Sequence, residues 1–386
     1  MFWYILAIIA LVPWVRLLVH GRSAMEHIPP MEKLIVKSRG EVEELPTLSV
    51  VIAARDEEAK LEDCLRSLAA QDHPNLEIIV VNDRSTDGTG AILERVGREF
   101  LEKIRSLSVW KLPEGWLGKC NAQQQGAELA TGEYILFTDA DVEFSPGVMS
   151  ASHVYMRGED ADQLAVIPET TVASFLERAM MNVFAVCFFI GFPPHRAMVR
   201  NSGKYVGIGA FNMVSARMYK KIQGHKFLRL QIVDDVGLGR LVKFSGGIVR
   251  VAWGKDHVKV RWQDNLGMMI RGLEKNFFAA ANYSLVRIVM MTIGLVIFTL
   301  WPWVGVWVGP TAARVLCGVV LAMQVVAAAA TAVQSRFSVV HGLTVPAGVV
   351  LLLTAMWRST IVTLRSGGVR WRDTFYPLKD LKQFRL

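Results

Sequence analysis

The stretch that decides the fold is residues 48–83, LSVVIAARDEEAKLEDCLRSLAAQDHPNLEIIVVND. It contains two short apolar runs, 48–54 and 76–83, of the kind that forms buried strands in a parallel sheet. Between them, RDEEAKLEDCLRSLAAQ (55–71) has helical spacing, with Leu61, Leu65 and Leu68 on one face. This order predicts two parallel strands joined by a helix that covers the sheet.

The same alternation continues towards the C-terminus. Residues 91–104 have a helical pattern, 107–112 form a strand-like run, and 118–131 are helical again before the apolar run YILFT at 134–138. Repeated strand–helix units predict an α/β fold with a mostly parallel sheet and helices on both faces.

Charged side chains follow three of the predicted strands. Arg55 and Asp83 end the first two, and Asp139 and Asp141 follow YILFT. Ligands of such sheets bind at the carboxyl ends of the strands, so these residues are expected to face one crevice. An isolated Asp-x-Asp is typical of a turn or a helix cap, but this position favours a site for a hard divalent cation, Mg²⁺ or Mn²⁺.

Two longer blocks make the pattern specific. VVIAARDEEAKLEDCLRSLAAQDHPNLEIIVVNDRSTDGT (50–89) and GWLGKCNAQQQGAELATGEYILFTDADVEFSP (115–146) resemble family-2 glycosyltransferases, which have a Rossmann-like GT-A nucleotide-sugar-binding domain. The chain departs from the family pattern at Ala53, where proline is usual, and at Asp56, where asparagine is usual. It is similar to membrane-bound lipid glycosyltransferases of the ceramide glucosyltransferase and hopanoid- or carotenoid-associated kinds.

The resemblance implies a role for each matching residue. The usual sugar donor in this family is a UDP-hexose. Its nucleoside would contact Ala54, Arg55 and Glu57, and Asp83 would form a hydrogen bond with the uracil ring. Lys119 would approach the base or the phosphates. Asp139 would contact the ribose or a metal-bound water, and Asp141 would ligate the metal itself. A divalent cation there would neutralise the diphosphate leaving group.

A second acidic pair, Asp234 and Asp235, lies in LQIVDDVGLGRLVKFSGG (230–247), which resembles the family's acceptor-side motif. Attack of an acceptor hydroxyl needs a base, and Asp235 is the candidate, with Asp234 as the alternative. The alternative without a catalytic role is that the two aspartates form the N-cap and acidic first turn of a helix. A single displacement opposite the leaving group would invert the sugar's anomeric centre.

The segment MMIRGLEKNFFAAANYS (268–284) stands where many processive relatives carry Gln-x-x-Arg-Trp, which this chain lacks. Its absence favours transfer of one sugar over polymer synthesis. Arg271 and Lys275 are four residues apart, so on one helical face they would clamp the diphosphate. The alternative is that Arg271 and Lys275 anchor the chain at a membrane surface.

The apolar residues, 52% of the chain, concentrate in the first 19 residues and after residue 284. Residues 1–20 are expected to form an uncleaved anchor, since no basic region precedes FWYILAIIALVPWVRLLV and no small-residue cleavage site follows it. The expected divisions are a connector at 21–46, a catalytic domain at 47–284, a membrane region at 285–364 and a basic tail at 365–386. Basic residues after the anchor place the catalytic domain in the cytoplasm.

The three C-terminal apolar segments, 284–309, 314–333 and 339–364, are each long enough to cross a membrane. Three crossings from a cytoplasmic domain would leave the basic tail outside, against the positive-inside rule. One segment is therefore expected to be re-entrant or interfacial. The apolar run at 180–194 is shorter and predicts a buried or membrane-surface helix.

Other classes of protein fit the sequence less well. The four cysteines are scattered, which indicates neither disulfides nor a zinc site. The net charge of +8 comes without a basic cluster interleaved with aromatics, so no nucleic-acid partner is expected. The sequence predicts an integral protein of a bacterial inner membrane that uses a nucleotide-sugar donor and a lipid acceptor. A polyprenyl-phosphate sugar synthase, a nucleotidyltransferase and a non-catalytic GT-A-like protein are the alternatives.

Overall fold

The computed structural model describes residues 1–261, 263 and 265–384. The strands are β1 (Leu48–Ala54), β2 (Leu76–Asp83), β3 (Ile104–Val109), β4 (Tyr134–Thr138), β5 (Val142–Phe144), β6 (Gln163–Ile167), β7 (Glu169–Thr170), β8 (Asn212–Ser215), β9 (Val249–Trp253), β10 (Val258–Val260), β11 (Gly368–Trp371) and β12 (Thr374–Pro377). The α-helices are α1 (Phe2–His27), α2 (Met31–Ser38), α3 (Leu61–Ala69), α4 (Thr89–Glu99), α5 (Gly118–Leu129), α6 (Val148–Gly158), α7 (Phe175–Gly191), α8 (Pro194–Met198), α9 (Ala216–Lys221), α10 (Asp234–Phe244), α11 (Leu266–Gly272), α12 (Asn276–Ala280), α13 (Leu285–Leu295), α14 (Trp301–Gly305), α15 (Thr311–Gln334), α16 (Val345–Ser366) and α17 (Leu378–Gln383).

The described residues group into two compact units. The sheet unit comprises 27–171 and 194–261, and the helical unit comprises 1–26, 172–193, 263 and 265–384. The catalytic domain expected at 47–284 is thus interrupted, because 172–193, 263 and 265–284 pack with the helical unit. The domain limits drawn from the sequence stay a prediction.

The sheet unit is built on seven strands in the order β3-β2-β1-β4-β8-β6-β9. Neighbouring strands are parallel except where β8 pairs antiparallel with β4 and β6. This architecture confirms the predicted α/β fold. A smaller sheet, β5-β10-β7, lies beside the point where β4 ends.

The central strands β1 and β2 are mostly apolar because helices cover both faces of the sheet. The apolar residues of β1 and β2 are almost all fully buried. Helix α5 approaches β1 closely through Gly126, where a Cβ atom would lie 2.5 Å from Val51 Cγ1. A side chain at this position would push the helix away from the sheet.

The helical unit contains long apolar helices. Five stretches in the described chain are long and apolar enough to cross a membrane, namely Phe2–His27, Phe175–Met198, Leu285–Gly305, Thr311–Gln334 and Val339–Ser366. Four of them correspond to the segments expected from the sequence. The fifth contains the 180–194 run, which is part of a longer helical stretch than expected.

Two of these stretches, Leu285–Gly305 and Thr311–Gln334, form an antiparallel hairpin. Gln324 donates to the carbonyl of Phe298 at 2.8 Å, and a Cβ at Gly305 would lie 2.5 Å from Cys317 Sγ. Trp14 of α1 donates to the same Phe298 carbonyl at 2.7 Å. Because the pair is antiparallel, α15 ends at the end of the hairpin where α13 begins.

Helix α16 also ends there. Trp357 donates to Thr292 Oγ1 at 3.0 Å, and the backbone N–H of Phe278 donates to Ser359 Oγ at 3.0 Å. At the start of its segment, a Cβ at Gly342 would lie 2.7 Å from the Val325 carbonyl in the C-terminal half of α15. The Val339–Ser366 stretch thus starts after α15 has reached one end of the hairpin and finishes at that same end.

Candidate active site

The carboxyl ends of β1, β2 and β4 meet at one edge of the sheet. In the parallel register, Ala54 pairs with Asn82 and Ile52 pairs with Thr138. The residues that follow these strands therefore start from the same level. Arg55 Nη1 lies 3.9 Å from Asp83 Oδ2, which joins the first two strand ends directly.

Asp83 is fixed by its neighbours. Its carboxylate is buried and accepts two hydrogen bonds from the Arg84 guanidinium, at 2.8 and 3.0 Å. A Cβ at Gly118, the first residue of α5, would lie 2.1 Å from Asp83 Oδ2, so only glycine leaves room for the carboxylate. Arg84 itself has φ +59°, a left-handed conformation that is rare for a long side chain.

The loop after β1 is tied to the loop after β2. The backbone N–H groups of Asp56, Glu57 and Glu58 donate to side chains of Ser85, Thr89 and Asp87, at 3.1, 2.8 and 3.1 Å. Asp56 has φ +53°, which aspartate tolerates better than most residues. These bonds hold Arg55 and Glu57 beside the strand ends.

The two aspartates after β4 each face a lysine. Asp139 Oδ1 lies 2.8 Å from Lys119 Nζ, and Asp141 Oδ2 lies 3.6 Å from Lys60 Nζ. Burial raises the pKa of Asp141 to about 7, with a further contribution from the negative charge of Asp139 and partial compensation by Lys60. The site thus holds more negative charge than its lysines neutralise.

The second acidic pair opens helix α10. Asp234 is buried and lies 3.7 Å from Lys119 Nζ. Asp235 Oδ2 accepts a hydrogen bond from the Gly209 N–H at 2.9 Å, and its Oδ1 accepts one from Val236 N–H at 2.8 Å. Burial and the charge of Asp234 raise the pKa of Asp235 to about 6, which suits a general base working near neutral pH.

Gly209 brings the two acidic pairs together. A Cβ there would lie 2.7 Å from Asp139 Oδ2 and 3.6 Å from Asp235 Oδ2. The absence of a side chain therefore allows a carboxylate from β4 and one from α10 to approach the same backbone atom. The Asn212 side chain also donates to the carbonyl of Asp235 at 3.2 Å.

Lys119 lies at the centre of this cluster, which we call the acidic cluster: Asp139, Asp141, Asp234 and Asp235. Burial alone would lower the pKa of Lys119, but Asp139, Asp234 and Asp235 together raise it well above its usual value. The ammonium group is therefore charged at neutral pH. A partly buried cation at the carboxyl ends of the strands suits the binding of a phosphate-bearing ligand.

The donor groups also fit a divalent metal. Asp139 and Asp141 offer only carboxylate oxygens, which Mg²⁺ and Mn²⁺ prefer. Within the described residues, no group of three or more His, Cys, Asp or Glu side chains is arranged to hold an ion. The aspartates would thus supply part of the coordination, and phosphate oxygens and water the remainder, as is usual for Mg²⁺.

Arg271 and Lys275 lie elsewhere in the chain. Both belong to the helical unit, and they do not share a helix, because α11 ends at Gly272 and Lys275 immediately precedes α12. The expectation that they lie on one helical face is therefore wrong. Lys275 Nζ lies over the Trp371 ring, 3.6 Å from its centroid. Their contact with a diphosphate stays a prediction.

One contributor, Lys60, escaped the sequence analysis. This partner of Asp141 precedes α3 in an ordinary charged stretch, DEEAK, and nothing in its spacing marks it. A second contributor, Gly209, lies in GIGAFNMVSARMY (207–219), which resembles the family's glycine-rich acceptor loop, but its contacts with the aspartates were not predicted. Paired glycines beside an apolar strand signal a close backbone approach. The sequence therefore indicates a close approach at Gly209, but it does not show that Asp139 and Asp235 are the residues involved.

Comparison with known proteins identifies the fold and the domain. Residues 49–223 match the family model of glycosyl transferase family 2. The 4,4'-diaponeurosporenoate glycosyltransferase of Staphylococcus haemolyticus (strain JCSC1435) is 27% identical over 252 residues, covering 64% of this chain and 65% of that protein. Its namesake from Staphylococcus aureus (strain MRSA252) is 25% identical over 238 residues, covering 61% and 62%. The matches thus span less than two thirds of the length of these relatives.

Among solved structures, a mannosyltransferase from Pyrobaculum calidifontis in complex with GDP-Man and Mn²⁺ has a TM-score of 0.52 at 15% identity. The superposition covers 94% of this chain and 98% of the other. At this level of identity the likeness concerns the fold.

Proposed function

Since the chain carries a glycosyltransferase family 2 domain of GT-A fold, we propose that it transfers one sugar from a nucleotide-diphosphate sugar, a UDP-hexose, to a hydroxyl of a membrane lipid. The observation that carries this proposal is the acidic cluster around Lys119, at the carboxyl ends of the strands. Donor sites of open α/β sheets lie at this edge.

The donor end of the site comprises the first two strand ends and Asp139 with Asp141. Asp83, held by Arg84 and close to Arg55, would accept from a base N–H, and Ala54 and Glu57, which lie at and just after the end of β1, would contact the nucleoside. Asp139 and Asp141 would hold Mg²⁺ or Mn²⁺. When bound, the metal supplies positive charge that stabilises the departing diphosphate. Lys119 adds a fixed cation beside it.

The acceptor end is Asp235. As the acceptor oxygen attacks the anomeric carbon, its proton passes to the Asp235 carboxylate, and the bond from that carbon to the diphosphate oxygen breaks. The N–H groups of Gly209 and Val236 fix the carboxylate's orientation during this step. A single displacement of this kind inverts the anomeric configuration. Asp234, which is buried and close to Lys119, serves as a positioning residue.

A lipid acceptor is supported by the apolar helices and by the relatives. Five stretches in the described chain are apolar enough to span a membrane. The curated relatives are named for 4,4'-diaponeurosporenoate, a carotenoid-associated acceptor. A soluble acceptor would give no reason to anchor the enzyme in a bilayer.

We also propose a membrane topology with three crossings: α1, Leu285–Gly305 and Thr311–Gln334. Phe175–Met198 does not cross, because the chain pairs β6 before it with β8 after it in one sheet. Val339–Ser366 returns to the end of the hairpin from which it starts. The sheet unit and the basic tail then share the cytoplasmic side, as the positive-inside rule requires.

The test incubates purified full-length protein with a panel of UDP- and GDP-sugars, Mn²⁺ or Mg²⁺, and native lipid extract. We expect one donor to give a glycolipid product that disappears with chelator, in Asp141→Ala and in Asp235→Asn. An exposed aspartate on α3 provides the matched control, Asp63→Asn, which should keep wild-type turnover. Unchanged turnover in either site variant would remove that residue from the mechanism.

A further inference from the structure

The C-terminal motif GGVRWRDTFYPL (367–378) takes no part in the proposed reaction, yet it builds a cavity. Gly367 ends α16 with φ +71°, and a Cβ at Gly368 would lie 2.3 Å from the Tyr376 carbonyl. The two glycines thus let the chain fold back into the β11–β12 hairpin, in which Gly368 pairs with Pro377. Between the hairpin, the end of α16 and the turn before α12 lies a cavity of about 580 Å³.

The charged lining of this cavity is mainly cationic. Lys275, Arg370 and Arg372 line it, and Glu274 is the acidic residue among the lining side chains. Glu274 forms an ion pair with Arg358, so its charge is already neutralised. Lys275 Nζ lies over the Trp371 ring, 3.6 Å from its centroid. Cationic side chains outnumber acidic ones in the lining, which favours an anionic ligand.

The end of α16 opposes an anion only weakly. The last carbonyl groups of a helix carry about half a negative charge. Here the Ser366 hydroxyl lies 2.8 and 2.7 Å from the carbonyl oxygens of Val362 and Gly368, and its single proton is shared between them. Part of the negative charge at this helix end is therefore already compensated.

Apolar side chains also line the cavity, and Phe375 is the cross-strand neighbour of Arg370 in the hairpin. Val362 and Phe375 line it and each remain 40% exposed. Val362 belongs to the Val339–Ser366 stretch, which is apolar enough to lie in a membrane. Exposed apolar side chains next to clustered cations match an amphiphile with an anionic head and a hydrocarbon tail.

We propose that this cavity binds an anionic phospholipid, with the headgroup phosphate against Arg370 and Arg372 and an acyl chain along Val362 and Phe375. Basic pockets beside membrane helices on the cytoplasmic side bind such headgroups in other proteins. Arginine suits this role because its planar guanidinium presents two donors to one phosphate. The bound lipid would hold the β11–β12 hairpin and α16 at the membrane surface.

The test uses full-length, delipidated protein in detergent and measures binding of phosphatidylglycerol, phosphatidylcholine and inorganic phosphate by native mass spectrometry. We expect phosphatidylglycerol to bind in preference to phosphatidylcholine, and millimolar phosphate not to displace it. The double variant Arg370→Gln/Arg372→Gln should bind phosphatidylglycerol at least about tenfold more weakly. No sugar donor is present, so the result is independent of the proposed transferase activity.

Two further variants keep the test decisive. Arg365→Gln removes an exposed arginine of α16 that does not line the cavity, and it should bind like the wild type. Arg370→Lys/Arg372→Lys keeps the charge and should retain most of the affinity, which excludes misfolding as the cause of a loss. Equal binding of the two lipids, displacement by inorganic phosphate, or wild-type binding by the glutamine double variant would each overturn the proposal.

Discussion

The ammonium group of Lys119 is shared by carboxylates from distant parts of the chain. It lies 2.8 Å from Asp139, which follows β4, and 3.7 Å from Asp234, which opens α10. Without this cation the carboxylates would repel one another. Lys119 therefore stabilises the site and keeps its carboxylates at the positions where a diphosphate sugar would meet them.

Gly209 offers a sharp test of that arrangement at the scale of one residue. In Gly209→Ala, the new methyl group would lie 2.7 Å from Asp139 Oδ2, so the carboxylate must shift from its position beside Lys119 and Asp235. Because the atom displaced is the end of a side chain, the fold should tolerate the change. We expect turnover to fall at least about tenfold, since small misplacements of reacting groups are costly, with little change in Tm.

The matched control is Gly158→Ala, at the end of α6, where an added Cβ would meet nothing within 4 Å. It should leave turnover unchanged. Wild-type turnover in Gly209→Ala would show that the spacing between the two acidic pairs does not matter for transfer.

The strand-end rule was sufficient to bring Asp83, Asp139 and Asp141 to one edge from the sequence, because parallel strands end at a common level. The contact of Lys119 with Asp234 could not be predicted that way. It depends on β8 and α10 returning beside β4 after the long excursion through α7. Pattern rules act over short distances along the chain, and this contact spans more than a hundred residues.

At the scale of elements, β1 and β2 coincide with the predicted runs, whereas the helix between them begins later than its pattern indicates. The pattern extends from Arg55, but α3 starts at Leu61. The reason is that the N–H groups of Asp56, Glu57 and Glu58 donate to side chains of the neighbouring loop. These tertiary hydrogen bonds replace the first helical turn.

A similar competition moves the third strand. The sequence predicts a helix to residue 104 and a strand at 107–112, but α4 ends at Glu99 and β3 begins at Ile104. The carbonyl of Lys103 already accepts from the Ile78 N–H at 2.7 Å. Trp110, expected inside the strand, is 88% exposed. Pairing with β2, rather than local hydrophobicity, decides where this strand lies.

Because α5 lies close to the sheet, we predict that a glycine-to-alanine substitution destabilises the protein in α5 and stabilises it in α4. Gly126→Ala places a methyl group 2.5 Å from Val51 Cγ1 in the packed core, and overpacking of this kind destabilises by about 1–3 kcal/mol. Gly97→Ala in α4 meets nothing within 4 Å and should stabilise, by up to about 1 kcal/mol.

Thermal unfolding of the two variants in detergent measures this difference. We expect a lower Tm for Gly126→Ala and an equal or higher Tm for Gly97→Ala. The same direction of change in both would mean that α5 does not pack as closely on β1 as described.

For the molecule as a whole, the sequence did not determine whether the chain crosses the membrane an odd or an even number of times after the catalytic domain. Hydropathy measures whether a segment is long enough to cross, and by that criterion Val339–Ser366 qualifies. Its direction relative to its neighbours depends on contacts such as Trp357 with Thr292 and Ser359 with Phe278. Only these tertiary contacts indicate that the segment returns to its starting side.

Single cysteines labelled with a membrane-impermeant reagent test this topology. Lys37→Cys and Lys379→Cys, both at exposed positions, should react only after the membrane is permeabilised. Trp307→Cys, in the exposed connection between α14 and α15, should react in intact cells. The native cysteines Cys64, Cys120 and Cys317 are buried, so their background should be low.

Labelling of Lys379→Cys in intact cells would show that Val339–Ser366 crosses the membrane after all. Labelling of Lys37→Cys in intact cells would place the sheet unit outside and contradict the proposed location of the catalytic site.

We propose that Asp235 removes the acceptor's proton while Asp83, Asp139 and Asp141 bind the donor and its metal, and two measurements on Asp235→Asn separate these roles. Asparagine keeps an oxygen to accept the Gly209 N–H but cannot take a proton. We expect the donor Kd, measured by calorimetry with metal, to remain within about twofold while turnover falls by about 10²–10⁴. Wild-type turnover, or a loss of turnover explained entirely by weaker donor binding, would contradict the account.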